Sequence, residues 1–268
     1  SGLNCGGHAF ATEGLLIGPI LEEFRNSKEQ MQKDIYEILE AALKSKDRII
    51  PDTILPIKIS AQGGVGTAQE HEFLLDYYKV DSVGWGSPFL LVPEATTVDK
   101  ETLTKLANSK EKDLYLSHIS PLGVPFNNLK GNSKDAEKFT SIEKGRPGTV
   151  CTKKYVALNT EFSDKGNCTA SRQYQRLKIK ELDAENLTKE AYQTKFEKIV
   201  EKACICVGLG TSTLLAHNVE TKSEGTGVSV CPGPNMAYFS KQLSLKEMIQ
   251  HIYGRANVIT DQNRPNIF

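Results

Sequence analysis

The sequence predicts an α/β fold with two parts. The first observation is a strand, glycine-rich turn, helix and strand in succession over residues 57–90. The second is a change of organisation after that unit, where short strand and helix patterns are separated by stretches rich in Gly, Pro, Asn and Lys. We therefore expect a βα domain over residues 1–95, followed by a loop-rich and helical α+β region over 96–268 that contains most of the cysteines.

The unit at residues 57–90 predicts a phosphate site. A strand pattern at 57–61 leads into Gly63-Gly64-Val65-Gly66, and a helix pattern starts at Thr67. A second buried strand closes on Gly84-Trp85-Gly86-Ser87. Glycine lets backbone N–H groups approach an anion closely, and a helix N-terminus adds partial positive charge. The candidate cofactor-binding residues are Gly63, Gly64, Val65, Gly86 and Ser87.

Two helices are predicted before the glycine-rich turn. The first covers residues 12–24 and is capped by Thr12, while Pro19 inside its apolar pattern predicts a kink or break. The second covers residues 31–43 and places its apolar side chains on one face. We expect these helices to cover a sheet or to form a small insertion.

Further elements are predicted after residue 91. They are a helix over 97–109, a strand over 114–119, a strand over 155–158, and helices over 187–203 and 244–253. The intervening residues 120–148 are rich in Gly, Pro, Asn and Lys, which predicts an extended surface loop.

Five of the six cysteines fall in the second half of the chain, at Cys151, Cys168, Cys204, Cys206 and Cys231. Four converging thiolates bind zinc or an iron–sulfur cluster. However, the sequence has no CxxC pair, and Cys204 and Cys206 would point to opposite sides of a strand. Free cysteine is also commonly buried as a small apolar residue. We favour that structural role and expect no metal site, with zinc or an iron–sulfur cluster as the alternative.

Composition narrows the range of partners. The 33 basic and 33 acidic side chains balance, so no overall field favours nucleic acid or an anionic membrane. No apolar run approaches the ~20 residues that span a bilayer. Cysteines without the close spacing of small secreted domains indicate a reducing, cytoplasmic compartment. We expect a small-molecule substrate, no nucleic acid, no membrane, and a possible homo-oligomer.

Three segments in order resemble one family of flavin enzymes. The turn at residues 61–70 followed by 80–90 resembles the last two strand ends of nitronate monooxygenase-like, FMN-dependent TIM barrels. Asn4-Cys5-Gly6-Gly7-His8 resembles the family's Gly-Gly-His, and residues 120–125 resemble its Ser-Pro-Val-Gly-hydrophobic-Pro segment. One position departs from the pattern, because Pro88 replaces an arginine of the family's Gly-Thr-Arg-Phe-like segment.

The resemblance implies a function. FMN would be held at the two glycine turns, and His8 would be the catalytic base that removes a proton α to a nitro or carbonyl-like group. Histidine suits this role because imidazole ordinarily titrates near ~6.5. Related flavin barrels include enoyl reductases, so the substrate is left open. The alternatives are a non-catalytic phosphate-binding or structural and interaction module, and an iron–sulfur flavoprotein.

The order of the motifs implies an incomplete barrel. In relatives several βα units precede Gly-Gly-His, whereas here it begins at residue 6. Eight βα units usually need ~250 residues, yet the barrel-like part ends by Leu91. We expect the C-terminal part of a flavin-type βα barrel at 1–95 with an additional region after it. The alternative is a small α/β domain that reuses the phosphate turn.

Overall fold

The computed structural model describes residues 17–123, 125–221 and 225–259. The helices are α1 (Ile17–Ser45), α2 (Ala68–Asp76), α3 (Lys100–Asn108), α4 (Ser133–Glu143), α5 (Arg172–Asp183), α6 (Lys189–Glu201), α7 (Ile205–Ala216) and α8 (Leu245–Ile252). The strands are β1 (Ser60–Gln62), β2 (Ser82–Gly84), β3 (Leu114–Ser117) and β4 (Phe126–Leu129). Strands β1 and β2 pair in parallel, and β3 and β4 pair antiparallel.

The long helix α1 corrects the prediction of two helices with a break at Pro19. That proline is the third residue of α1. Backbone N–H groups of a first turn have no intrahelical partner, so proline is tolerated there. The helix then continues unbroken through residues 31–43 to Ser45. The predicted cap, Thr12, lies outside the described residues.

The predicted strand, turn, helix and strand form a βαβ unit. Thr67 caps α2 through a capping box with Glu70, as the start of the helix pattern predicts. The small parallel sheet packs its apolar side chains against α1 and α2 in one core cluster. Its buried members are Leu21 from α1, Ala61 from β1 and Val80 before β2.

The largest core cluster joins residues that are far apart in the chain. Leu91 and Val92, which follow the βαβ unit, pack with Met236, Phe239 and other apolar side chains that flank α8. Leu91 and Met236 are both 0% exposed. The C-terminal residues therefore pack directly behind the segment that follows the second glycine turn.

Residues 120–148 are not an extended loop. They contain β4 and α4, and Asn132 caps α4 by accepting a hydrogen bond from Asp135 N–H at 2.9 Å. The loop composition was misleading because Asn and Gly here form a cap and turn, which precede ordered elements. The strand predicted at 155–158 is also absent: residues 155 and 156 form a turn, residues 157 and 158 have no regular structure, and Tyr155 and Leu158 are each 72% exposed.

Besides α4, two further helices were missed by the sequence patterns. Helix α5 follows the cap Ser171, and α7 begins immediately after Cys204. The segment 204–206 is thus the start of a helix, so the alternation of a strand does not apply to Cys204 and Cys206. Gly208 lies in α7 against Ser229, whose Oγ would be 2.4 Å from an added Cβ. Close packing against Ser229 is the reason for this glycine.

The α/β fold class is confirmed, with a βαβ unit followed by an α+β region. The described residues form two separate two-stranded sheets and no closed barrel, which agrees with the prediction of an incomplete one. Among these residues no single helix is long and apolar enough to cross a membrane. The consecutive helices α6 and α7, which meet at a bend of 47°, are together long and apolar enough to do so, but only by length and composition.

Candidate functional site

The two glycine turns lie side by side at one edge of the parallel sheet. The last paired residues are Gln62 and Gly84, and Gly63 N–H donates to Gly84 C=O at 3.3 Å. Both turns follow the carboxyl ends of their strands, where ligands bind in open α/β sheets. The structure therefore brings Gly63, Gly64 and Gly86 to the same edge of the sheet.

Open space lies over both turns. Gly64 and Gly86 are exposed, and a Cβ on either would meet no heavy atom within 4 Å. Gly63 and Gly64 have φ values of 98° and 72°, in the left-handed region that favours glycine. These positions can present backbone N–H groups to a ligand without an intervening side chain.

The N-terminus of α2 already holds a carboxylate. Glu70 Oε2 accepts hydrogen bonds from the N–H groups of Gly66 at 2.8 Å and Thr67 at 3.0 Å. An anion at the turn would then use N–H groups earlier in the turn, at Gly64 and Val65. It would also lie near the negative charge of Glu70.

Ser87 and Val65 face the protein as well as the turn. The Ser87 hydroxyl is buried and accepts a hydrogen bond from Gly233 N–H at 2.6 Å. Val65 is buried, and its carbonyl accepts from Asn235 Nδ2 at 2.8 Å. The C-terminal region thus fixes both glycine turns from behind.

Two more C-terminal side chains support the first turn. The Tyr238 ring lies so close to Gly66 that an added Cβ would be 2.3 Å from its Cδ2. His251 is 3% exposed, and its Nε2 is 2.9 Å from Gly66 C=O. The ring of His251 also packs edge-on against Trp85 and Phe239. His251 therefore has a supporting role in the core beside the first glycine turn.

A cavity of about 200 Å³ opens at the start of α2. Its lining includes Thr67, Gln69, His251 and Arg255. Arg255 is a cation near the glycine turn that the sequence analysis missed, because it lies nearly 190 residues further along the chain. The proposed base His8 lies outside the described residues, and so does Cys5.

Four cysteines converge elsewhere in the fold. Cys151, Cys168, Cys204 and Cys206 line one small apolar cavity. Burial, together with the charges of the three other thiols, raises the pKa of the Cys168 thiol to about 12. Burial also raises the pKa of Cys204. Within the described ranges, no group of three or more His, Cys, Asp or Glu side chains could hold a metal ion.

A larger cavity of about 910 Å³ adjoins the cysteines, because Cys151 and Cys168 line it too. It lies between residues 145–157 and α5. Its charged lining is mostly basic and consists of Arg146, Lys154, Arg172, Arg176 and Lys180, with Asp183 as the acidic member.

Comparisons with known proteins give partial structural likenesses. No protein-family model and no curated protein matches the chain. The enoyl reductase domain of MlnA from the macrolactin biosynthesis cluster of Bacillus amyloliquefaciens is 18% identical, with a TM-score of 0.41 over 87% of this chain and 49% of that chain. FabK from Thermotoga maritima is 14% identical, with a TM-score of 0.35 over 75% of this chain and 45% of that chain. The chain spans about half the length of these solved chains.

Proposed function

We propose that this chain is part of an FMN-dependent oxidoreductase of the nitronate monooxygenase-like type. The observation that supports the proposal most is the pair of exposed glycine turns at adjacent strand ends, with open space over Gly64 and Gly86. A phosphate needs several N–H donors at close range, and such a pair of turns can supply them. The motif resemblance at residues 61–70 and 80–90 supplies the identity of the flavin.

In this proposal the phosphate lies over the glycine turns. Gly63, Gly64 and Val65 contribute the first turn, and Gly86 and Ser87 contribute the second. The Ser87 hydroxyl oxygen accepts from Gly233 N–H, which leaves its own O–H proton available for donation to the phosphate. Pro88 stands where the resembling family has an arginine, so it supplies no positive charge. In this proposal Arg255, at the neighbouring cavity, supplies that charge instead.

The flavin supplies the redox chemistry, and the protein positions the substrate and moves the proton. His8 accepts the proton from the carbon next to a nitro or carbonyl-like group. The chain's own contribution is therefore the base His8 and a phosphate anchor at the two glycine turns. The physiological substrate belongs to the class of weak carbon acids.

The phosphate site is tested with two matched glycine variants. Gly64 and Gly131 have φ values of 72° and 71°, both are exposed, and neither has a heavy atom within 4 Å of an added Cβ. Gly64→Ala and Gly131→Ala therefore carry the same backbone strain. Titration with FMN, followed by flavin fluorescence, is expected to show weaker binding only for Gly64→Ala. Equal affinities in the two variants would reject the glycine turn as the anchor.

The role of His8 is tested separately from flavin binding. In His8→Gln the side chain keeps hydrogen-bonding capacity but loses the base. We expect FMN affinity to stay at the wild-type value, while flavin reduction by a nitroalkane or another carbon acid is lost. Unchanged flavin reduction in this variant would assign the base to another residue.

A further inference from the structure

The large cavity beside α5 has a lining with excess positive charge. Its basic members are Arg146, Lys154, Arg172, Arg176 and Lys180. Within the described ranges, none of these five side chains forms a salt bridge. The acidic member, Asp183, already accepts a hydrogen bond from the Tyr192 hydroxyl at 2.7 Å. The cavity therefore concentrates positive charge in a chain whose basic and acidic side chains balance overall.

Three of the basic side chains share one face of α5. Arg172, Arg176 and Lys180 follow one another at intervals of four residues, which places them one above the other along the helix. Like charges at this spacing repel one another and destabilise a helix. The lining thus carries an electrostatic cost that an anion in the cavity would offset.

Two buried donors at the cavity have no partner among the described residues. Asn167 is 8% exposed, and its Nδ2 has no hydrogen-bond acceptor. The Nε of Arg172 is buried and unpartnered in the same way, while its Nη2 donates to Gly148 C=O at 3.4 Å. Both Asn167 and Arg172 line the cavity. Buried donors in proteins are nearly always paired, so these two indicate an acceptor that a ligand supplies.

The start of α5 adds to the positive potential. Ser171 caps this helix of 12 residues, and it lines the cavity together with Arg172 and Gln173. The N-terminus of a helix carries partial positive charge and favours an anion. The backbone and the side chains therefore favour the same kind of ligand.

The main chain holds the walls of the cavity in place. Thr149 N–H donates to Ala170 C=O at 3.1 Å, and Arg172 N–H donates to Thr149 C=O at 3.0 Å. Asn159 and Asn167 exchange two backbone hydrogen bonds, at 3.0 and 2.6 Å. The donors are thus positioned before a ligand arrives, which lowers the cost of binding.

The size of the cavity indicates a ligand larger than an inorganic anion. Its volume of about 910 Å³ lies in the range of ~300–1,000 Å³ that is usual for small-molecule pockets. Apolar side chains, among them Pro147, Val150 and Ile179, also line it. Several cations around one cavity match the nearly double negative charge of a phosphate better than the single charge of a carboxylate.

We propose that this cavity binds a phosphorylated small molecule whose remaining part is apolar. The phosphate lies against Asn167, Arg172 and Arg176, and the apolar part lies against Val150 and Ile179. The site shares no residue with the glycine turns and does not depend on the assignment of FMN.

The test is isothermal titration calorimetry of the full chain with naphthyl phosphate and, in parallel, with naphthol, which lacks the phosphate. We expect saturable binding of naphthyl phosphate, with naphthol bound at least about tenfold more weakly. Inorganic phosphate should compete with naphthyl phosphate, because it occupies the charged part of the site. Gly64→Ala alters the proposed flavin anchor and should leave the affinity for naphthyl phosphate unchanged.

Cys151 reports where the probe binds. This cysteine is partly exposed and lines the cavity. Saturation with naphthyl phosphate should slow its alkylation by iodoacetamide severalfold, as measured by mass spectrometry of the peptide that contains it. Naphthol at the same concentration should give much less protection.

Two arginine variants and one matched control give the decisive comparison. Arg172→Gln removes the unpartnered Nε, and Arg176→Gln removes an exposed cation on the same face of α5. Each is expected to weaken binding of naphthyl phosphate about tenfold. Arg48→Gln removes an exposed arginine that does not line the cavity, and it should bind with wild-type affinity. Circular dichroism verifies folding, and Arg176→Gln keeps the test valid if Arg172→Gln does not fold.

Three outcomes would overturn the assignment. One is equal affinity for naphthyl phosphate and naphthol, or no binding of either. Another is wild-type affinity in folded Arg172→Gln and Arg176→Gln. The third is weaker binding in Gly64→Ala, or unchanged alkylation of Cys151 at saturation, since either result would place the probe elsewhere.

Discussion

The glycine-turn region (residues 60–91) and the four-cysteine region (residues 149–206) are built in different ways. The first is a continuous βαβ unit whose strands pair directly and whose helix is capped by Thr67 and Glu70. The second joins separate segments through single bridges, such as the one between Thr149 and Ser171. A local unit can specify its own geometry, whereas the four-cysteine region depends on contacts between distant parts of the chain.

The two regions are connected by one short segment. Cys231 packs against Ile205, which lies between Cys204 and Cys206. Two residues later, Gly233 N–H donates to Ser87 in the second glycine turn. The proposed flavin anchor and the four-cysteine region therefore share a structural support, although each is built from its own residues.

The largest expected effect is in the four-cysteine region. In Gly166→Ala the new Cβ would be 2.1 Å from Ala157 C=O, at a φ of 73°. The backbone carbonyl cannot move aside as a flexible side chain can. We therefore expect the free energy of unfolding to fall by about 3 kcal/mol. Urea denaturation measures this change. Gly145→Ala has a φ of 65° and open space, and it is expected to cost only about 1 kcal/mol.

Gly66→Ala tests the glycine-turn region in the same way. Its Cβ would be 2.3 Å from the buried Tyr238 ring. We expect the free energy of unfolding to fall by about 2 kcal/mol, because the confined Tyr238 ring must shift. As a control, Gly210→Ala lies exposed in α7 with open space and should be neutral or stabilising by up to about 1 kcal/mol. Similar stability of both variants would contradict the close contact with Tyr238.

A buried hydrogen-bonded pair couples α3, after the glycine-turn region, to α7. Ser212 Oγ donates to Asp99 Oδ2 at 2.7 Å and accepts from Asp99 N–H at 2.8 Å. Ser212→Ala is expected to lower the free energy of unfolding by about 1–2 kcal/mol. Equal urea midpoints for wild type and Ser212→Ala would show that the pair contributes nothing.

The same pair predicts a pH dependence. Burial opposes ionisation of Asp99, but hydrogen bonds from Thr102 and Ser212 prevail and lower the pKa of its carboxyl group. The stabilisation is present above the unfolded carboxyl pKa of about 3.9 and is lost as pH falls through the lower folded pKa. Below about pH 4, the melting temperature should therefore fall more steeply with decreasing pH in the wild type than in Asp99→Asn.

The smallest expected effect concerns Glu70. Glu70→Gln keeps an acceptor for the N–H groups of Gly66 and Thr67 but removes a negative charge beside the proposed phosphate. We expect FMN to bind about threefold to tenfold more tightly, with the gain shrinking at high salt. A salt-independent change, or none, would place the phosphate away from this turn.

The sequence was sufficient for the features that local chemistry determines. The glycine turn, the helix that starts at Thr67 and both parallel strands were predicted because each has a signature within a few residues. The contacts by which Asn235 and His251 support the turn were not predicted, because these residues lie about 170–185 positions further along the chain. The convergence of the cysteines was missed for the same reason, as no short spacing indicates it.

Polar composition misled the prediction elsewhere. Residues 120–148 have the composition of a loop, yet Asn132 serves as a helix cap and α4 follows it. Helix α5 escaped notice because most of its residues are polar, and burial of Gln175 and Leu182 within it depends on tertiary contacts. Such positions are decided by packing rather than by local propensity.

The most direct test of the central claim compares two flavins that differ only in the phosphate. Purified chain is titrated with FMN and, in parallel, with riboflavin, and binding is followed by quenching of flavin fluorescence. The glycine-turn site predicts saturable binding of one FMN per chain, with riboflavin bound at least about tenfold more weakly because charge-assisted hydrogen bonds to phosphate are lost. Equal affinity for both flavins, or no binding of FMN, would contradict it.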